Sequence, residues 1–149
     1  MKFRIQKTNV LWFGLLITIL SILINLLFFA ISHVFGERFN IPITDSLSNF
    51  APIPVQMIVL ATGVPAILTM ILYIFLKKVL PHSFITSFLS VTITAFLVSL
   101  GGPLDIPGAE IKTKILLGSM HFISAIIIIG GWMIFHFQHK KNVKEGQNE

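Results

Sequence analysis

Cysteine is absent from the chain, which excludes disulfides, thiol redox chemistry, Fe–S ligation and any cysteine nucleophile. Charge is scarce too: Asp, Glu, Lys and Arg make up 11% of the 149 residues, against roughly a quarter in water-soluble domains. With 54% of the residues hydrophobic, there are too few charges to solvate an exterior, and the composition is that of a membrane protein. Paired carboxylates, a serine elbow and a phosphate loop are also missing, so the usual hydrolytic and phosphoryl-transfer signatures do not arise. No enzyme is expected, and no cofactor.

A net charge of +5 and a pI near 9.8 would suit nucleic acid only if the basic residues shared one water-facing surface. They fall instead between apolar runs, and the expected partner is the lipid bilayer.

Those runs extend over about 10–32, 55–76, 84–100 and 115–135, each without an internal charged residue. A helical span needs roughly 20 apolar residues, and continuous runs lack the alternation of a membrane barrel strand. The expected fold is all-α: one membrane domain over 1–149, an antiparallel four-transmembrane-helix bundle with a tail at 137–149. Gly36 follows the first run, and Pro52 and Pro54 precede the second. Lys77, Lys78 and Pro81 close the second, and Gly101, Gly102 and Pro103 are expected to stop the third as a tight turn. Ala30-Ile31-Ser32 resembles a signal cleavage site, but the run before it exceeds the usual signal core of about 7 to 15 residues. It reads as a retained helix.

Lys2, Arg4, Lys7, Lys77, Lys78, Lys140, Lys141 and Lys144 lie on one side of this layout, and only Arg38, Lys112 and Lys114 on the other. The richer side is expected to be cytoplasmic, which puts both ends of the chain there. Lys140, Lys141 and Lys144 would then meet anionic lipid at the inner leaflet, each contributing about 1 kcal/mol.

Helices in lipid associate through small residues and interhelical hydrogen bonds, so stripes of such residues are expected to point inward. The stripes are Gly14, Thr18, Ser21, Asn25 and Ser32 in the first span, and Thr62, Ala66, Thr69 and Tyr73 in the second. The third offers Ser87, Ser90, Thr94 and Gly101, and the fourth Gly118, His121 and Ala125. Pro65 lacks the N–H that would bond the Ala61 carbonyl and is expected to kink its helix.

His121 is the one strongly ionisable side chain well inside a span, and such groups are functional candidates by default. Its depth, about 9 Å at 1.5 Å per residue, matches that of Asn25. The two are expected to approach each other, with Gln56 and Ser99 nearer the same face, as a polar site in the outer half of the bundle. His33 lies too high to share a haem with His121. His136 and His139 lack the third ligand of a typical protein metal site, and Asp105 and Glu110 are too few for calcium.

The third-span exit Ser99-Leu100-Gly101-Gly102-Pro103-Leu104 and the pair Met120-His121 resemble an uncharacterised family of small bacterial four-helix membrane proteins. The resemblance implies a bacterial plasma membrane and names no activity. A non-enzymatic accessory or interaction bundle is the expected role. The alternative is a small-solute or proton carrier built on the cluster around His121.

Overall fold

A computed structural model describes residues 2–42 and 50–145, with side chains described over 10–42 and 50–138. Helix α1 (Lys2–Val34) is followed by strands β1 (Asn40–Pro42) and β2 (Phe50–Pro52), then α2 (Val55–Val79) and α3 (Phe84–Ser99). A single helical turn, α4 (Gly101–Leu104), and the long α5 (Ile111–Glu145) complete the order. Four stretches, Val10–Val34, Val55–Val79, Phe84–Leu104 and Ile111–Gln138, are long and apolar enough to cross a membrane. The molecule is an all-α, multi-pass membrane bundle.

Cross-helix contacts fix its directions. A Cβ placed on Gly14 would collide with Met70 and Trp132, while Asn25, further along α1, bonds Thr62 and Ser124. Residue numbers therefore rise along α1 as they fall along α2 and α5, which makes α1 antiparallel to both. Phe84 beside His136 and Phe96 beside Phe122 set α3 antiparallel to α5.

Three layers stack along the bundle. Where the α2–α3 hairpin closes, Tyr73, Trp132, Phe88 and Phe84 form an aromatic core with Phe13 and Phe135. At the opposite end Phe39, Ile58, Leu117 and Met120 form a smaller one. Asn25 and its partners lie between them.

The first helix ends at Val34 and is closed by Gly36, whose φ of 83° suits glycine. The amides of Gly36 and Glu37 bond the carbonyls of His33 and Ser32 at 3.0 Å, a Schellman closure. Beyond it β1 and β2 pair antiparallel, Asn40 opposite Pro52, a short ribbon that the sequence reading does not contain. Phe39, 1% exposed, tucks beneath it against Phe29. An ion pair between Lys112 and Glu37 ties the start of α5 to the exit of α1.

Several helix bounds differ from expectation. α2 continues past residue 76 to Val79, with Lys77 lying over the Tyr73 ring, and stops because Pro81 forces Leu80 out of helical geometry. The third helix does end at Ser99, ahead of Gly101, but Gly101, Gly102 and Pro103 form the single helical turn α4 rather than the expected tight turn. Leu100 stays helical (φ −66°, ψ −23°), and the amides of Leu104 and Asp105 bond the carbonyls of Leu100 and Gly101. Proline is tolerated within a first helical turn, so the run resumes there and the reversal falls between Asp105 and Glu110, at Gly108 (φ 70°). Pro65 sits inside α2, which remains helical through it.

Candidate functional site

Asn25, 2% exposed, is the centre of the middle layer. Its Nδ2 donates to Thr62 Oγ1 at 2.8 Å and to Ser124 Oγ at 2.7 Å, joining α1, α2 and α5. Ser124 fixes the orientation of the amide, because its own hydroxyl donates to the Met120 carbonyl and its oxygen can only accept from Asn25. Oδ1 of Asn25 then remains buried without a donor among the described residues. Such an unsatisfied group costs about 1 to 3 kcal/mol.

His121 does not pair with Asn25 as expected. Its Nδ1 lies 3.0 Å from the carbonyl of Leu117, one turn back on its own helix, and Ser124 occupies the place beside Asn25. Ser99, half-buried at the end of α3, donates to Phe96 O at 2.7 Å. Gln56 is exposed in the first turn of α2 and takes no part. His33 is exposed beside Phe29.

The stripes of α1 and α2 are placed as expected: Gly14, Thr18, Ser21, Asn25, Ser32, Thr62, Ala66 and Tyr73 are buried, and Thr69 is half-buried. The other two are corrected. On α3, Ser90 and Thr94 are exposed, and the inward face is Phe84, Phe88 and Thr92. A hydroxyl can satisfy itself on its own helix, as Thr92 does on Phe88 O, so it need not face a neighbour. On α5, Leu117, Met120, Ile128 and Trp132 are buried, which leaves Gly118, His121 and Ala125 half-buried at the flank.

That flank borders a cavity of about 750 Å³ between α2, α3 and α5. The two helices of the hairpin meet through Tyr73, Phe84 and Phe88, and away from that junction the cavity separates them. Its rim includes Leu68 and Val91, exposed on the side that lipid would cover; Asn25, His121 and Ser99 lie in its wall. Among the described residues no Asp, Glu, Lys or Arg lines it.

The wall is apolar apart from a few polar groups, most of whose protons are already engaged. Thr69, Thr92, Ser99 and Ser124 donate to the carbonyls of Pro65, Phe88, Phe96 and Met120 on their own helices. Thr62 accepts from Asn25. Prolines 65 and 103 carry no N–H for the carbonyls of Ala61 and Ser99, residues that also line the cavity.

Sequence reasoning missed Ser124 and the cavity. The signal for Ser124 was present, since it follows His121 by three positions and so shares its side of the helix. The cavity had no such signal, because it is a space between helices. Lys140, Lys141 and Lys144 lie on the backbone of α5, but their side chains fall outside the described residues.

No curated protein and no solved structure matches the chain. A model of a family of unknown function, DUF6069, matches residues 6–134, across all four spans, and the chain belongs to that family.

Proposed function

We propose that the protein is a non-enzymatic accessory or interaction bundle of the bacterial plasma membrane, with both termini cytoplasmic, that works by holding an apolar molecule drawn from the lipid phase. The observation that carries this reading is the cavity. Its size lies within the roughly 300 to 1,000 Å³ of small-molecule sites, its wall is largely hydrophobic, and its rim is on the lipid side. The basic tail of Lys140, Lys141 and Lys144 would add attraction to anionic lipid at the cytoplasmic face.

A carrier for protons or a small solute is the second reading, favoured by the layer of Asn25, Thr62 and Ser124 deep in the bundle. Against it stand the absence of a charged side chain from the described cavity wall and the engagement of most of its hydroxyl protons with backbone carbonyls.

Ala95 lies in the cavity wall on α3, so Ala95→Trp fills the space from a lipid-facing position. Protein purified in mild detergent from native membranes should release a lipophilic species, near one per chain, on organic extraction. Ala95→Trp should not. Equal release from both proteins would overturn the binding reading, and proton uptake into proteoliposomes that is lost in His121→Ala would replace it with the carrier.

A further inference from the structure

The polar groups of the cavity are alike in one respect: what they can still offer is acceptance. Leu117 O can only accept a hydrogen bond, so the His121 proton sits on Nδ1 and, in the neutral ring, Nε2 is a bare acceptor. His121 is half-buried in the cavity wall, and among the described residues its Nε2 has no hydrogen-bond partner, which leaves it as an acceptor available to a ligand. Ser99 and Ser124 have spent their hydroxyl protons on Phe96 O and Met120 O and retain only lone pairs. Asn25 has directed both amide hydrogens to Thr62 and Ser124. Thr62, which also lines the cavity, is the exception, with a hydroxyl proton not assigned to an acceptor, but it is 4% exposed.

We propose that the cavity binds an uncharged, hydroxyl-bearing amphiphile of the membrane whose hydroxyl donates to His121 Nε2 while its hydrocarbon body lies between α2 and α3. This rests on the binding reading above and names the chemistry of its ligand. A ketone, ester or carboxylate presents only acceptors, and acceptors facing acceptors gain nothing. A charged head would be buried without a counter-ion, at a cost the wall does not offset. An amide would satisfy His121 and then leave its own carbonyl unpaired. A hydroxyl escapes all three objections. Two sources carry that group on an apolar body: neutral lipid alcohols and prenylated hydroquinones.

The test uses the full chain, labelled with ¹⁵N at histidine, in nanodiscs of phosphatidylcholine, a lipid that brings no hydroxyl donor of its own. Oleyl alcohol and its methyl ether form one pair of probes, and a prenylated hydroquinone and its dimethyl ether the other. The hydroxyl member of at least one pair should bind about tenfold more tightly than its ether, the value of one net hydrogen bond, and should shift the Nε2 resonance of His121. Whichever pair shows the difference identifies the source. In His121→Ala the alcohol and the ether should bind equally, and His121→Gln, which keeps an acceptor, should recover part of the discrimination.

Alcohol and ether binding equally to the unaltered protein, in both pairs, would overturn the hydroxyl proposal while leaving the binding reading in place. Failure of all four probes to bind, with Ala95→Trp indistinguishable from the unaltered chain, would remove both.

Discussion

At the scale of single residues, two kinds of contact hold the middle of the bundle. Asn25 joins α1, α2 and α5 through hydrogen bonds, and in a membrane such bonds average about 0.6 kcal/mol by double-mutant cycles, with a maximum of about 1.7. A cycle of Asn25→Ala and Thr62→Ala, read by denaturation in mixed detergent micelles, should give a coupling of that order; strict additivity would mean the bond contributes nothing. Gly14 is the other kind, a close approach. A methyl there would meet Met70 Cγ at 2.7 Å and Trp132 Cζ2 at 3.2 Å. Gly14→Ala should therefore cost about 1 to 3 kcal/mol through overpacking. Gly130→Ala has open space around the new methyl and should be neutral or slightly stabilising. The same melting series compares the two, and equal tolerance would show that α1 can move off α2 at no cost.

Elements explain why the third helix reads differently in sequence and in space. Its hydroxyl stripe, Ser87, Ser90 and Thr94, has the spacing of a packing seam, as does the stripe of α1. What decides its rotation is the partner. Tyr73 on α2 meets Phe84 and Phe88 edge-on at centroid distances of 4.9 and 5.6 Å, so α3 turns its large residues inward and leaves Ser90 and Thr94 outside. It is also the least enclosed span, 17% buried against 33% for α2, as expected of a helix that borders the cavity. Phe88→Ala should cost about 3 to 5 kcal/mol, whereas Thr94→Leu should stay within about 0.5 kcal/mol because it only changes a lipid-facing surface. The opposite order in a detergent melt would restore the hydroxyl seam as the inward face.

For the whole molecule, four crossings bring the start of α1 and the α2–α3 hairpin to one face of the membrane. Which face that is follows from the distribution of Lys and Arg. Since the chain has no native cysteine, single cysteines report the orientation cleanly. Lys78→Cys should be shielded from an impermeant thiol reagent in intact cells and Lys112→Cys should react; the reverse pattern would invert the bundle. The pair Glu37–Lys112 sits at the same face as that second site. With Lys112 66% exposed, the pair adds little stability.

The sequence by itself determined the class, the number of spans and the inward faces of α1 and α2, because apolar run length and charge scarcity are properties of the chain read one segment at a time. It also supplied Asn25, His121 and Ser99 as polar members of the interior, since polar side chains within apolar runs need an internal partner. The partners themselves were decided only by tertiary structure. Ser124 rather than His121 meets Asn25 because α5 is rotated to bury Leu117, Met120, Ile128 and Trp132. The Gly101-Gly102-Pro103 run forms a helical turn rather than a tight reversal because the amides of Leu104 and Asp105 bond the carbonyls of Leu100 and Gly101. The cavity belongs wholly to the second kind of information. It exists because aromatic residues hold α2 and α3 together at one end of their hairpin while none of the described side chains fills the space between them further along, and a relation among three helices is encoded in none of them alone.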